Sequence, residues 1–228
     1  MNKRGIDFMQ IVVVQFLIIA DAIIFEDLLS LLGFANISQL ACQLIFMIVG
    51  FLYLTLLWRL LRSFNAGKMA LNGTLFLLCV SFCIGMVAAN PFIEVFESPI
   101  KRVLLFVIQI GIFTSQIIII YHTIIEIFRE DISMNERLWG SAAVYLMIGL
   151  SLGSLYDFIA VINPNALGPY HELSLSGYLL CLKYSMHILG ALDSIFPDAI
   201  SLVKNIGIME AVWSHLFVCL LVGRLLSK

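Results

Sequence analysis

The chain has 228 residues, of which 61% are hydrophobic and 12% charged, with a formal net charge of -2 and a mean hydropathy of +1.04. Soluble domains run at roughly 45–50% apolar and about 25% charged, so this composition excludes an ordinary soluble domain and reads as an integral membrane protein. No basic patch is large enough for nucleic acid, and the 13 Lys and Arg residues gather mostly at the ends of apolar runs, where they anchor helices at an interface.

A helical span needs about 20 mainly apolar residues, and several runs reach that length, which favours helices over the weak alternation of an outer-membrane barrel. The first run, residues 8–34, follows a short polar head carrying Lys3 and Arg4. It continues past signal-peptide length without a small-residue cleavage site, so it is expected to remain as a span. Its second half holds Asp21, Glu26 and Asp27. An acid near mid-membrane is costly enough to be read as a functional site. The plain alternatives are a polar contact between helices, or a span shifted so that these acids reach the interface.

The second run, residues 37–61, closes at Trp58, Arg59 and Arg62, and the third, residues 69–89, stops at Asn90-Pro91. A short amphipathic connector with Glu94 and Glu97 leads to the fourth run, residues 103–127. That run carries no basic residue other than His122, so it lacks the repeated Arg of a voltage sensor. His122, beside Tyr121, reads as a hydrogen-bonded helix residue or as a proton relay. The fifth run, residues 138–162, contains Gly149-x-x-x-Gly153, a spacing that allows close helix contact. The sixth, residues 200–226, holds Glu210 and His215 and ends at Arg224. Cys42, Cys79, Cys83, Cys181 and Cys219 lie in apolar context without a CxxC pair and read as buried packing. No metal and no cofactor is expected.

Between the last two runs, residues 164–197 are too polar and too broken by Gly and Pro to form a full span. Irregular backbone at membrane depth is tolerated only where protein buries it or where it lines a water-filled cavity. A short helix over residues 172–186 is expected, followed by an extended return over 187–193, the whole dipping back into the membrane. The negative dipole end of such a helix favours a cation beyond it. With a cytoplasmic N-terminus, Lys3, Arg4, Arg59, Arg62, Lys68, Arg129, Arg137, Arg224 and Lys228 fall inside, and Lys101, Arg102, Lys183 and Lys204 outside or near it. This bias fits six spans with both termini cytoplasmic.

The run Gly140-Ser141-Ala142-Ala143-Val144-Tyr145-Leu146-Met147-Ile148-Gly149-Leu150, continuing to Leu155-Tyr156 and Asn163-Pro164, resembles the outer helix of bacterial two-helix ion-channel domains, similar to potassium channels. Met209-Glu210-Ala211-Val212, Leu216-Phe217 and Leu221-Val222-Gly223-Arg224-Leu225 resemble the inner helix of the same domains, with His215 where relatives often carry a polar amide. Potassium channels replace the ion's water with backbone carbonyls from four TVGYG loops. Against that motif this chain reads Ile188-Leu189-Gly190-Ala191-Leu192-Asp193. Gly190 and Asp193 match, Leu192 replaces the second Gly, and His187 and Ile188 stand where the family has a Thr pair.

The resemblance implies an all-α polytopic membrane protein of six transmembrane helices plus a re-entrant pore helix and loop. Residues 1–131 would be a four-helix N-terminal membrane region and residues 132–228 a pore-like domain. It implies a homotetrameric cation channel, not voltage-gated, with altered or relaxed selectivity, passing monovalent cations among membrane lipids in a bacterial inner membrane. Ser185, His187, Ile188, Leu189, Gly190, Ala191, Leu192 and Asp193 would be filter-like, with Glu210 and His215 on the inner helix. Glu210 also reads as a hydrogen-bonded acid behind the re-entrant helix, Asp193 as a loop clamp and His187 as a pH-sensitive gate. A second reading keeps the fold without conduction, as a structural or regulatory subunit. A third is an intramembrane enzyme using Glu210, His215 and His187. No HExxH or paired-carboxylate motif is present, so no enzyme activity and no catalytic residue is expected.

Overall fold

Apolar segments fold as helices in a membrane because a helix satisfies its backbone hydrogen bonds within itself. A computed structural model of the chain describes residues 3–64, 68–88, 98–129, 132–168, 174–192 and 194–226, and no strand occurs among them. Helix α1 (Lys3–Ala20) runs through a π-helical turn (Asp21–Phe25) into α2 (Glu26–Leu31), so the first predicted run is one helix with a wider turn inside it. Then follow α3 (Ala35–Ser63), α4 (Lys68–Ala88), α5 (Ser98–Ile127), α6 (Met134–Ile162), α7 (Leu175–Leu189) and α8 (Ser201–Leu226). Among the described residues five stretches, in α1–α2, α3, α5, α6 and α8, are long and apolar enough to cross a membrane, consistent with an integral membrane protein. The third predicted run forms α4, whose described apolar part, Asn72–Gly85, is shorter. The connector carrying Glu94 and Glu97 lies outside the described residues.

Two helix starts are fixed by side chains. Ahead of α6, Ser133 and Glu136 form a capping box in which the Glu136 carboxylate accepts from the Ser133 N–H at 3.1 Å, so the helix begins before the predicted run does. Ahead of α7, the Ser174 hydroxyl oxygen accepts from the Gly177 N–H at 3.3 Å. The helix expected over residues 172–186 therefore starts and ends later, and the extended return expected over 187–193 is helical as far as Leu189.

Helix α6 is central and packs against α1, α5, α7 and α8. The largest apolar cluster joins Phe8 and Ile11 of α1, Leu57 of α3, Ile119 of α5, Met147 of α6 and Leu182 of α7. One core thus takes side chains from both sides of residue 131. A second cluster, with Tyr156, Ala160, Cys181, Tyr184 and Val203, ties α6, α7 and α8 together. At the end where α1 begins, Arg4 donates to Glu126 at 2.7 Å and to the Ser63 carbonyl at 2.9 Å, and Arg59 donates to Asp7 at 2.6 Å. These bonds gather the start of α1 with the ends of α3 and α5.

Not every cysteine is buried packing. Cys42 and Cys181 are buried, whereas Cys79, Cys83 and Cys219 are exposed on their helices. The outer face of a membrane helix is as apolar as its packed face, so an apolar neighbourhood in sequence does not decide burial. His122 is half-buried and stands edge-to-face with Tyr121, ring centroids 5.6 Å apart.

Candidate functional site at the end of the short helix

Helix α7 lies antiparallel to the second half of α6, and glycines let the two approach. A Cβ on Gly149 would collide with the tips of Leu189 and Met186, and one on Gly153 would lie 3.0 Å from the Leu182 Cα. The Gly149-x-x-x-Gly153 pair is therefore the close-contact face that its spacing predicted. On the other side of α7, a Cβ on Gly207 of α8 would lie 2.8 Å from the Ile188 Cδ1.

This close fit brings two polar side chains to one carboxylate. Glu210 on α8 is 2% exposed. Its Oε2 accepts from the Tyr156 hydroxyl of α6 at 2.7 Å, and its Oε1 accepts from the Ser185 hydroxyl of α7 at 2.5 Å. Ser185 also has the Gly149 carbonyl in range at 2.9 Å. The Tyr156 ring stands edge-to-face on Tyr184, centroids 4.7 Å apart, and Tyr184 in turn meets Phe196. Glu210 is thus held behind the short helix by a group from each of the two elements facing it. A buried carboxylate with two hydroxyl donors is a positioned structural acid.

The C-terminal end of α7 is closed just as fully. The Leu189 carbonyl accepts from the Tyr145 hydroxyl at 3.0 Å and from the Ser214 hydroxyl at 3.3 Å. Beyond it the Leu192 N–H donates to the His187 carbonyl at 2.8 Å and the Ala191 N–H to the Ile188 carbonyl at 3.0 Å. That pair of bonds is a Schellman motif with Ala191 in the left-handed region, φ 54°. The same motif ends α2, where Gly33 holds the left-handed position with φ 86°. Ser214 stands at the middle of α8, and Tyr145 within one turn of the middle of α6. The end of α7 therefore lies level with the mid-length of both flanking helices.

The sequence-predicted residues divide accordingly. Ser185, Ile188 and Leu189 are buried against α6 and α8, His187 is half-buried, and Gly190, Ala191 and Leu192 are exposed. Asp193 lies outside the described residues. The carbonyls of His187, Ile188 and Leu189 accept hydrogen bonds within the chain, a consequence of the helical ending. Glu210 faces α7, but His215 is on the exposed side of α8, its Nδ1 2.7 Å from the Ala211 carbonyl. Glu210 and His215, five residues apart, do not share a face.

Sequence reasoning gave no role to Tyr145, Tyr156 or Ser214, which complete both clamps. Each is a hydroxyl inside an apolar helix, and that was the available signal, since a buried hydroxyl needs a partner. Elsewhere in the bundle, Gln109 of α5 donates to Asp157 of α6 at 2.5 Å, and Gln15 of α1 donates to the Tyr53 hydroxyl at 3.0 Å. Among the described residues no group of three or more His, Cys, Asp or Glu is placed to hold a metal ion. No family model, no curated protein and no solved structure matches this chain.

Proposed function

We propose that the chain is the subunit of a potassium-channel-like cation channel, not gated by voltage and with relaxed selectivity, in a bacterial inner membrane. In this reading α4 is the sixth span, α6 the outer helix, α7 the re-entrant pore helix and α8 the inner helix. The observation that carries it is the placement of α7: a helix of 15 residues, too short to cross a membrane, that ends level with the mid-length of α6 and α8. Its C-terminal dipole end then points into the middle of the membrane, where it favours a cation.

Two further features support the reading. Helix α8 is the least covered of the spanning stretches, 22% buried against 67% for α6, with Met209, Val212, Trp213 and Leu216 exposed. A pore-lining helix that packs on neighbouring subunits of a homotetramer has such a surface. The arginines paired at the start of α1 and the ends of α3 and α5 put positive charge on one side, which becomes the cytoplasmic side with both termini.

Relaxed selectivity follows from the end of α7. A filter that strips potassium of its water needs free carbonyl rings, and here the Leu189 carbonyl is taken by Tyr145 and Ser214. Ions that pass would keep much of their water. The same closure favours a second reading, a channel-like subunit that does not conduct and serves a structural or regulatory role.

Reversal potentials of the purified protein in planar bilayers, with potassium, sodium and chloride replaced in turn, test the proposal. Cation current with little discrimination between potassium and sodium, altered by Gly190→Val or Asp193→Asn, is the expected result. Silence across pH, lipid composition and voltage would leave the non-conducting reading, and a stable monomer in mild detergent would count against a central pore.

A further inference from the structure

The π-helical turn in the first span has a consequence for charge. An α-helix advances about 100° per residue, so side chains five apart face roughly 140° away from each other. A turn closed by bonds from residue i to residue i+5 brings those two positions back over one another. Asp21 opens this turn and Glu26 follows it. Both residues line one cavity of about 230 Å³ between the turn, α3 and α7. Cys42 and Gln43 of α3 and Ser176 and Lys183 of α7 complete its polar wall.

Asp21 is 4% exposed, and neither of its carboxylate oxygens has a hydrogen-bond partner. A carboxylate held out of water without a donor is costly and is retained where something else answers its charge. None of the ion pairs among the described residues reaches it. The residues of the wall are of the type a hard cation takes, two acids with Gln43 and Ser176 as further oxygen-bearing side chains. The cavity is large enough for an ion that keeps part of its water shell. Among the described residues Lys183 brings the only basic side chain of the wall, a built-in competitor for the same carboxylates.

We propose that this cavity binds a hard, oxygen-seeking cation through Asp21 and Glu26, linking the first span to the short helix α7. The site stands apart from the Glu210 clamp and does not depend on conduction.

The test is thermal unfolding of the full chain in detergent after treatment with a chelator, with calcium chloride or sodium chloride added against N-methylglucamine chloride at equal ionic strength. A cation that binds the folded state alone raises Tm in a saturable way. The expected result is such a rise for calcium, for sodium or for both, the pair distinguishing a divalent from a monovalent site. Asp21→Asn should abolish the rise while leaving an ion-free Tm at or above that of the wild type. Glu26→Gln should raise the half-saturating concentration several-fold, and Lys183→Met should lower it several-fold. Should Asp21→Asn fail to fold, the opposite shifts of the other two variants still decide. Tm values that follow ionic strength alone, or an Asp21→Asn protein that keeps the wild-type response, would overturn the proposal.

Discussion

The Ser185 hydroxyl has one proton and two acceptors in reach, the Glu210 carboxylate at 2.5 Å and the Gly149 carbonyl at 2.9 Å, whereas the Tyr156 hydroxyl has Glu210. Removing the carboxylate therefore strands one hydroxyl and not the other. Glu210→Ala is expected to destabilise the chain by about 1–3 kcal/mol, the cost of a buried polar group left without a partner. In the double variant Tyr156→Phe/Glu210→Ala the stranded hydroxyl is gone, so its stability should equal or exceed that of Glu210→Ala alone. Denaturant unfolding of the two single variants and the double variant in detergent reads the difference.

Two hydroxyls share the Leu189 carbonyl, and either can serve without the other. Tyr145→Phe and Ser214→Ala are each expected to cost about 1 kcal/mol or less, since the carbonyl keeps one donor. The double variant leaves it buried and unmet, so its loss should exceed the sum of the singles by about 1 kcal/mol or more. A double-mutant cycle on Tm measures that excess. If the chain conducts, the double variant should also change single-channel amplitude more than either single.

The left-handed residue at the end of α7 is Ala191, at φ 54°, while Gly190 sits at φ -79°. A left-handed alanine costs roughly 1–2 kcal/mol, of which a glycine there recovers part after its greater entropy in the unfolded chain. Ala191→Gly is accordingly expected to raise Tm and Ala191→Val to lower it. A Cβ on Gly190 would lie 3.3 Å from the Met186 carbonyl oxygen, a tight but modest contact. Gly190→Ala should therefore shift stability by less than Ala191→Val does, as differential scanning fluorimetry would show.

Along α6 the two glycines differ in what a methyl group would meet. Gly149 faces the tips of flexible side chains, Leu189 and Met186, whereas Gly153 faces the Leu182 backbone. Side-chain tips can turn aside, but a helix backbone has to move as a whole. Gly153→Ala is expected to destabilise by about 1–3 kcal/mol, and Gly149→Ala by less. Unfolding midpoints of the two variants provide the check, and an equal loss at both would mean that α7 shifts bodily in either case.

The helices were legible because the information for them is local. Apolar runs of spanning length, broken at Asn90-Pro91 and Asn163-Pro164 and edged by Arg and Lys, mark where each helix lies. Even the close face of α6 could be read, since Gly149 and Gly153 fall one turn apart. Where the reading missed, a short-range side-chain bond had decided. The Ser133–Glu136 capping box moved the start of α6, and the Schellman motif at Ala191 put a helix end where an extended return was expected.

What the sequence determined by itself is an all-helical chain rich in membrane-length segments, with a short polar-flanked helix between the last two. Only the tertiary structure decided that Ser185, Tyr156 and Glu210 meet, that Tyr145 and Ser214 close on Leu189, and that Asp21 and Glu26 share a cavity. Those partnerships depend on the depth and rotation of one helix against another. A helix apolar on all sides carries no stripe to fix its rotation. Here glycine contacts, paired hydroxyls and one π-helical turn fix it instead.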